Sequence, residues 1–281
     1  MRFEVPLRTT ILVTALLVPF STAAERYADA NGVLAGLKPH RAVYDVTLVE
    51  ASERSGIKGS RGRIVYELTG SACEGFATQF RFFQQVRTDR REYTSDQRIT
   101  TFEAADGDSF TFVNRSFFNG SQEKEVRGKA RRAAGVTVEL SQPKKVELDL
   151  PPALFTTAHI ARVIEAAQAG ETLVSATVFD GSGDGDEVVE TTAVLGKRRT
   201  EPAAGDGEDE KAARAATSEW WPTSIAYFKA DEGKGERLPI YQVSFALHAS
   251  GVSRDLVMRY EDYSLRGTLQ DIEFLEREPC D

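Results

Sequence analysis

The chain has 281 residues, of which 41% are hydrophobic and 28% are charged, and this balance is typical of a folded globular protein rather than a disordered one. Its formal net charge of -8 disfavours nucleic acid as a partner, because an acidic protein repels phosphate backbones. The length suits one large β domain as well as two smaller domains.

The N-terminal residues have the pattern of a secretory signal peptide. Two basic residues, Arg2 and Arg8, are followed by an apolar run from Thr10 to Phe20 and then by small residues. The apolar run is about a dozen residues long, and a membrane-spanning helix needs roughly 20. We therefore expect residues 1–23 to be a cleaved signal peptide and residues 24–281 to be exported.

The chain contains two cysteines, Cys73 and Cys280. An even number of cysteines in an exported protein favours an intramolecular disulfide, with two free thiols or an intermolecular bridge as the alternatives. An intramolecular bond would tie the C-terminal end of the chain to its first third. On the loop-closure model it would stabilise the fold by up to ~5 kcal/mol.

Alternating apolar and polar residues predict short strands along most of the mature chain, and Asn119-Gly120 predicts a tight hairpin turn. Before residue 150 the predicted strands cover residues 38–48, 63–68, 75–86, 93–102, 109–117, 122–130, 136–140 and 145–150. After residue 170 they cover residues 172–179, 188–195, 220–228, 238–247, 256–260 and 265–275. The spacing of about 8–12 residues is that of an all-β fold.

One long helix is predicted between these two sets of strands, over residues 156–169. Apolar residues recur there at the i, i+3, i+4, i+7 spacing of a one-sided helix. Thr156 or Thr157 would cap its N-terminus, and Gly170 would end it in the left-handed conformation. We expect a single domain in which one curved antiparallel sheet has its hollow side covered by this helix.

Two acidic segments interrupt the strand pattern. Residues 180–187 carry acidic residues and glycines in the order of a calcium loop, but the twelfth position is Thr191 instead of the glutamate that encloses the ion. We interpret this segment as an acidic hairpin turn. Residues 198–217 lack any apolar period and are predicted to form a solvated, mobile loop.

No sequence motif indicates catalysis or a metal site. His40, His159 and His248 lie far apart, and no His-Glu-x-x-His, Gly-x-Ser-x-Gly or phosphate-loop motif occurs. We therefore expect a protein that is not an enzyme and has no catalytic residues, metal or cofactor. A periplasmic hydrolase with a triad assembled in space remains the alternative, and it would need a serine or aspartate beside one of the histidines in a cleft.

Several segments, in this order and spacing, resemble the cell envelope integrity EipB family of α-proteobacterial periplasmic proteins. The resemblance rests on Pro39–Leu48, on Cys73-Glu-Gly75, on the Pro152–His159 lead into the helix, on Ala193-Val-Leu-Gly196 and on the C-terminal Cys280. It covers essentially the whole mature chain.

The resemblance implies a β-spiral, a bent antiparallel half-barrel of about a dozen or more strands, similar to the fold of periplasmic lipoprotein carriers. It also implies one disulfide, which maps here onto Cys73 and Cys280. The location it implies is the periplasm, and the role is to maintain the envelope under stress. The implied partners are an envelope lipid or lipoprotein, or a periplasmic tetratricopeptide-repeat protein.

Apolar residues of the predicted helix and its lead-in have two interpretations. They could simply pack against the aromatic residues of the sheet, or they could line a groove that the helix covers only in part, open to an acyl chain, a lipoprotein tail or a peptide. We expect a non-enzymatic binding protein of the envelope, with a scaffold that takes no small-molecule ligand as the alternative. The candidate groove residues are Leu154, Phe155, Ile160, Val163 and Ile164.

Overall fold

The computed structural model of the chain describes residues 32–200, 207–215, 219–230 and 237–277. It contains α-helices α1 (Thr156–Ala169) and α2 (Glu210–Ala215), a 3-10 helix over Glu53–Ser55 and a helical turn over residues 32–36. The strands, β1 to β14 in chain order, are His40–Ala51, Ile57–Ser71, Gly75–Thr88, Glu92–Glu103, Ser109–Phe118, Ser121–Arg132, Val136–Gln142, Val146–Leu150, Leu173–Val178, Val189–Leu195, Trp220–Lys229, Tyr241–His248, Ser253–Arg259 and Tyr263–Phe274.

These strands form one antiparallel sheet in the order β8-β7-β6-β5-β4-β3-β2-β1-β14-β13-β12-β11-β10-β9. The chain enters in the middle of the sheet at β1 and adds strands outwards to β8. It then crosses to the other edge and returns from β9 to β14, which pairs with β1. The two free edges, β8 and β9, are therefore joined by the crossing segment that contains α1.

The crossing segment bonds to the β9 edge of the sheet at one point. Leu154, just before α1, forms a parallel β-bridge with Val178 at the end of β9. Its N–H donates to the Thr177 carbonyl at 2.9 Å, and its own carbonyl accepts the Phe179 N–H at 2.9 Å. The predicted curved sheet covered by one helix is confirmed.

The inner face of the sheet carries the core. On β1 alternate residues such as Ala42, Tyr44 and Val46 are buried, as the two-residue period of a strand requires. Register shifts between Val43 and Tyr44 and between Leu48 and Glu50 interrupt the pairing of β1 with β14, and irregularities of this kind bend strands. The core then divides into three large apolar clusters along the curved face.

Helix α1 fills part of the hollow. Its buried side packs against residues of β9 to β12, among them Val174, Trp221 and Leu247. Its predicted span is confirmed, and Gly170 ends it with a φ of 78°. The predicted threonine cap is wrong, because the N-cap residue is Phe155 and no side chain at that position caps the helix.

The segment predicted as a solvated loop over residues 198–217 is folded where the structure describes its second half. Residues 210–215 form α2, and Ala212 is buried in the central core cluster. Asp209 caps α2, because its carboxylate accepts the N–H groups of Lys211 and Ala212 at 2.9 Å each. The expectation of full solvation is therefore wrong for Glu208 and Ala212, whose side chains are buried, whereas residues 209–211 are exposed.

Candidate functional site

The candidate groove residues lie in the interior of the protein. Phe155, Val163 and Ile164 are 0% exposed, whereas Leu154 and Ile160 are partly exposed. Val163 and Ile164 belong to the cluster under α1, and Phe155 stacks on Phe110 of β5 with ring centroids 5.0 Å apart. The structure thus uses these residues for core packing in two separate clusters, Val163 and Ile164 under α1 and Phe155 beside β5.

A carboxylate from the opposite side of the hollow holds the start of α1. Glu103, at the end of β4, accepts the N–H groups of Thr157 at 2.7 Å and Ala158 at 3.1 Å. A negative charge at a helix N-terminus is favourable, because the free N–H groups there point at it. Burial nevertheless raises the pKa of Glu103 to about 7, and the two N–H bonds and Arg132 only partly offset that effect.

The turn after β9 closes the hollow over β5 and β6. A β-carbon at Gly181 would lie 2.6 Å from the Phe112 ring, and one at Gly185 would lie 2.9 Å from it, so this close approach requires glycine. Phe179 meets the same ring edge-on at 5.5 Å. The acidic turn therefore packs into the fold, and Asp184 forms an ion pair with Lys124 at 2.6 Å.

The three histidines are buried on different elements and do not meet. His40 on β1 donates from Nδ1 to the Lys38 carbonyl at 2.7 Å, and His248 ends β12. His159 on α1 has its Nε2 3.1 Å from the hydroxyl oxygen of Thr191 on β10. Within the described ranges, no group of three or more His, Cys, Asp or Glu side chains could hold a metal ion.

The contact between His159 and Thr191 is the nearest arrangement to a nucleophile with its base. Burial lowers the pKa of His159 to about 4, so the imidazole is neutral at physiological pH. The Thr191 hydroxyl donates to the Ala176 carbonyl at 3.1 Å, which commits its proton to the backbone. Both side chains are buried. A hydroxyl that is shielded from water and already donating is a poor nucleophile.

A buried ion pair fixes the segment before α2 to the sheet. Arg254 of β13 donates from Nε to the Glu208 carboxylate at 3.1 Å, and the Asp255 N–H donates to the same carboxylate at 3.1 Å. The side chains of Arg254 and Glu208 are 0% and 1% exposed. The Asp209 N–H donates to the Leu269 carbonyl of β14 at 2.9 Å, so this segment bonds to both strands.

Four tyrosines form a ladder against the core clusters of β11 to β14. Ring centroids lie 5.5 Å apart for Tyr227 and Tyr241, 5.0 Å for Tyr241 and Tyr260, and 4.6 Å for Tyr260 and Tyr263. All four are partly exposed, and burial raises the pKa of each hydroxyl. The ladder is therefore uncharged and presents both apolar rings and polar tips.

An outer groove of about 520 Å³ lies across the outer face of β9 and β10 and extends to Phe228 of β11. Arg237 donates to Glu190 at 2.7 Å, and its guanidinium lies 5.4 Å from the centre of the Phe228 ring. The charges of the groove are thus paired with each other. The lining residues are Ser175, Ala176, Thr177, Glu190, Thr191, Thr192, Phe228 and Arg237.

Only one of the two cysteines of the predicted disulfide lies within the described residues. Cys73, in the turn between β2 and β3, is not a free thiol. Cys280 lies outside the described residues, as do residues 1–23, so the Cys73–Cys280 pairing and the signal peptide stay predictions.

Comparison with known proteins decides the family. The family model described as EipB-like matches residues 32–276, which is most of the chain. The chain belongs to the EipB-like family. It is 45% identical over 242 residues to the cell envelope integrity protein EipB of Brucella abortus (strain 2308), and the match covers 85% of each chain.

A solved structure shares the EipB-like fold of this chain. It is the crystal structure of a beta-barrel-like protein of domain of unknown function DUF1849 from Brucella abortus. The two are 43% identical with a TM-score of 0.80, over 85% of this chain and 99% of the other. The helices of the described ranges are too short or too polar to cross a bilayer.

Sequence reasoning missed four features of this EipB-like chain. The cap from Glu103 and the ion pair between Glu208 and Arg254 join residues 54 and 46 positions apart, so no local pattern marks them. One signal was present for α2, because Asp209 precedes Lys211 and Ala212 at the spacing of an N-cap. The outer groove across β9 and β10 depends on which strands form the edges of the sheet.

Proposed function

We propose that this protein maintains the integrity of the cell envelope as a periplasmic binding protein without catalytic activity, and that it acts by holding a protein partner. The envelope role is supported by the name of the Brucella relative, at 45% identity over 85% of the chain. The observation that carries the mode of action is the packing of the predicted groove residues into the core. Phe155, Val163 and Ile164 are completely buried, so they offer no surface to a partner. The edges and the outer face of the sheet are the surfaces that we expect a partner to bind.

The absence of catalysis is proposed from the state of the His159–Thr191 pair. The hydroxyl donates to a backbone carbonyl, and both side chains are buried. A nucleophile must reach its substrate. Thr191 is one of the residues of the outer groove, but its hydroxyl contacts His159 and the Ala176 carbonyl and is buried. We expect Thr191→Val, which removes the hydroxyl at nearly constant volume, to preserve function.

The test is deletion of the gene in its own host, followed by growth on detergent and on a cell-wall antibiotic. The deletion strain should become sensitive to both agents, and the full gene and the Thr191→Val gene should restore growth equally at equal protein level. A deletion strain as resistant as the parent would contradict the envelope role. Loss of function by a stably folded Thr191→Val protein would contradict the non-catalytic role.

A second candidate function is the binding of a hydrophobic ligand, such as a lipid or a lipoprotein tail, at the tyrosine ladder. The partly exposed, uncharged rings of Tyr227, Tyr241, Tyr260 and Tyr263 favour it. Apolar ligands bind in sites of this kind, lined by aromatic rings with a few polar groups.

The ladder is tested with a fluorescent fatty acid and the purified mature chain. Tyr241→Ala should weaken its binding at least tenfold, while Phe83→Ala, which removes an exposed ring of β3, should have little effect. Equal binding by both variants, or no binding by the parent protein, would remove this candidate. The tetratricopeptide-repeat protein implied by the family resemblance remains the first protein partner to examine.

A further inference from the structure

The two free edges of the sheet differ in chemistry. Edge strands expose unpaired N–H and C=O groups, and proteins usually protect them with charged residues or proline. Strand β8 follows this rule, since two of its five residues, Glu147 and Asp149, are acidic. Strand β9 has the sequence Leu-Val-Ser-Ala-Thr-Val, with no charge and no proline.

On the free side of β9, the backbone N–H and C=O groups of Leu173 and Ser175 are available, whereas the Thr177 carbonyl is used by Leu154. In an antiparallel pair, successive residues point their backbone groups to alternate sides. The Thr172 carbonyl accepts the Leu195 N–H, so the backbone N–H and C=O groups of residues 172, 174 and 176 point towards β10. The backbone groups of Leu173 and Ser175 therefore point away from β10, and no strand of the described ranges lies on that side.

The chain itself already uses this edge at one position. Leu154 bonds to the Thr177 carbonyl and the Phe179 N–H on the free side of β9. That contact stops after a single residue, because the crossing segment turns into α1 at Thr156. The remaining edge, residues 173–176, is about four residues long, which suits one short added strand.

The outer face beside the edge defines which side chains an added strand would carry. Leu173 is 59% exposed, and the hydroxyl residues Ser175 and Thr177 follow it into the outer groove. Cross-strand neighbours of like chemistry stabilise a sheet, as apolar pairs and as Thr or Ser hydrogen bonds. Glu190 and Arg237 are paired with each other, so the groove offers no net charge to a ligand.

We propose that the free edge of β9 captures an extended, uncharged segment of a partner protein as a fifteenth strand. The segment places an apolar residue against Leu173 and a hydroxyl or small residue against Ser175. Main-chain hydrogen bonds hold the segment, and the groove selects its side chains. This inference rests on the proposed scaffold function and assigns the surface through which it works.

The experiment places the photo-crosslinking residue p-benzoylphenylalanine at position 173 of the full chain in its own host. Position 194 on β10 is the matched control, because Val194 is the cross-strand neighbour of Leu173 and is 53% exposed, but it lies one strand inside the edge. We expect a crosslinked partner at position 173 with at least tenfold the yield at position 194. The crosslinked peptide should be an uncharged segment.

Two variants test the hydrogen-bonding mode with a synthetic peptide of that segment. Ser175→Pro removes an edge N–H that no strand uses, so the fold should tolerate it while peptide binding falls at least tenfold; Ser175→Ala should bind as the parent does. If Ser175→Pro lowers the melting temperature, Leu173→Lys replaces it, with Val194→Lys as its control.

Three results would overturn the inference. These are adducts formed only between two copies of the chain, equal yields at positions 173 and 194, and unchanged peptide binding in both edge variants. The proposed envelope role would survive each of them if the deletion strain is detergent-sensitive, so the two failures are distinguishable. Rescue of that strain by the parent gene but not by the Leu173→Lys gene would support both.

Discussion

Removing the charge of Glu208 should release the segment that packs between β13 and β14. Arg254 and Glu208 are 0% and 1% exposed, and the carboxylate receives hydrogen bonds from the guanidinium and from the Asp255 N–H. Breaking a buried ion pair by removing one partner costs about 3–5 kcal/mol, since the remaining charge stays buried. Typical domains have only about 5–15 kcal/mol of stability, so the effect is large.

The Glu208→Gln variant can respond in two ways. If residues 207–215 stay in place, the whole cost appears as a lower free energy of unfolding in urea, followed by the fluorescence of the buried Trp221. If the segment detaches, water solvates Arg254 and global stability falls less, but trypsin reaches Lys211 sooner. A local loss of 3 kcal/mol would speed that cleavage by roughly 100-fold, at tenfold for each 1.4 kcal/mol.

Two controls separate the ion pair from other effects. Glu187→Gln makes the same change on an exposed carboxylate and should alter stability by less than about 0.5 kcal/mol. The double variant Glu208→Leu with Arg254→Met should recover most of the loss, because no charge remains buried. If Glu208→Gln changes neither the urea midpoint nor the cleavage rate, the reasoning is refuted.

Three further predictions concern the interior. Burial raises the pKa of Glu103 in the folded protein from 4.5 to about 7, so ionisation of this carboxyl opposes folding. The free energy of unfolding of the parent, measured in urea relative to Glu103→Gln, should therefore fall by up to about 3 kcal/mol as the pH rises from 4.5 to 7. A difference that does not change with pH would contradict the burial argument. Ile164→Ala should lower the free energy of unfolding by about 2–5 kcal/mol, since Ile164 is fully buried, and a loss below 1 kcal/mol would reveal unfilled space under α1. Reduction, or Cys73→Ser, should cost about 2–5 kcal/mol if Cys73 and Cys280 are joined, and peptide mapping without reductant should recover the two together; separate peptides would exclude the bond.

The sequence was sufficient for the elements that local patterns determine. Helix α1 and its Gly170 terminus follow from apolar spacing and from the freedom of glycine, and the strands follow from their two-residue alternation. Whole-chain resemblance, rather than any single motif, supplied the spiral architecture and the family.

Features that join distant residues were beyond such patterns. In the sequence, nothing distinguishes Glu103 from other charged residues at strand ends. Only the fold brings its carboxylate to the N-terminus of α1. The sequence of residues 207–215 predicts a solvated loop, because burial of a glutamate is costly without a charged partner. The partner of Glu208 is Arg254, which lies on β13, far away in the sequence. The order of strands in the sheet likewise determines that β9, and not a neighbour, is the unprotected edge.

The most direct test of the account is native mass spectrometry of the oxidised protein purified from the envelope of its own host. The account predicts the mature chain without bound lipid, alone or together with a protein partner, because the predicted groove residues Phe155, Val163 and Ile164 are packed into the core. A chain that carries one lipid molecule in most copies would contradict it and would identify the protein as a carrier.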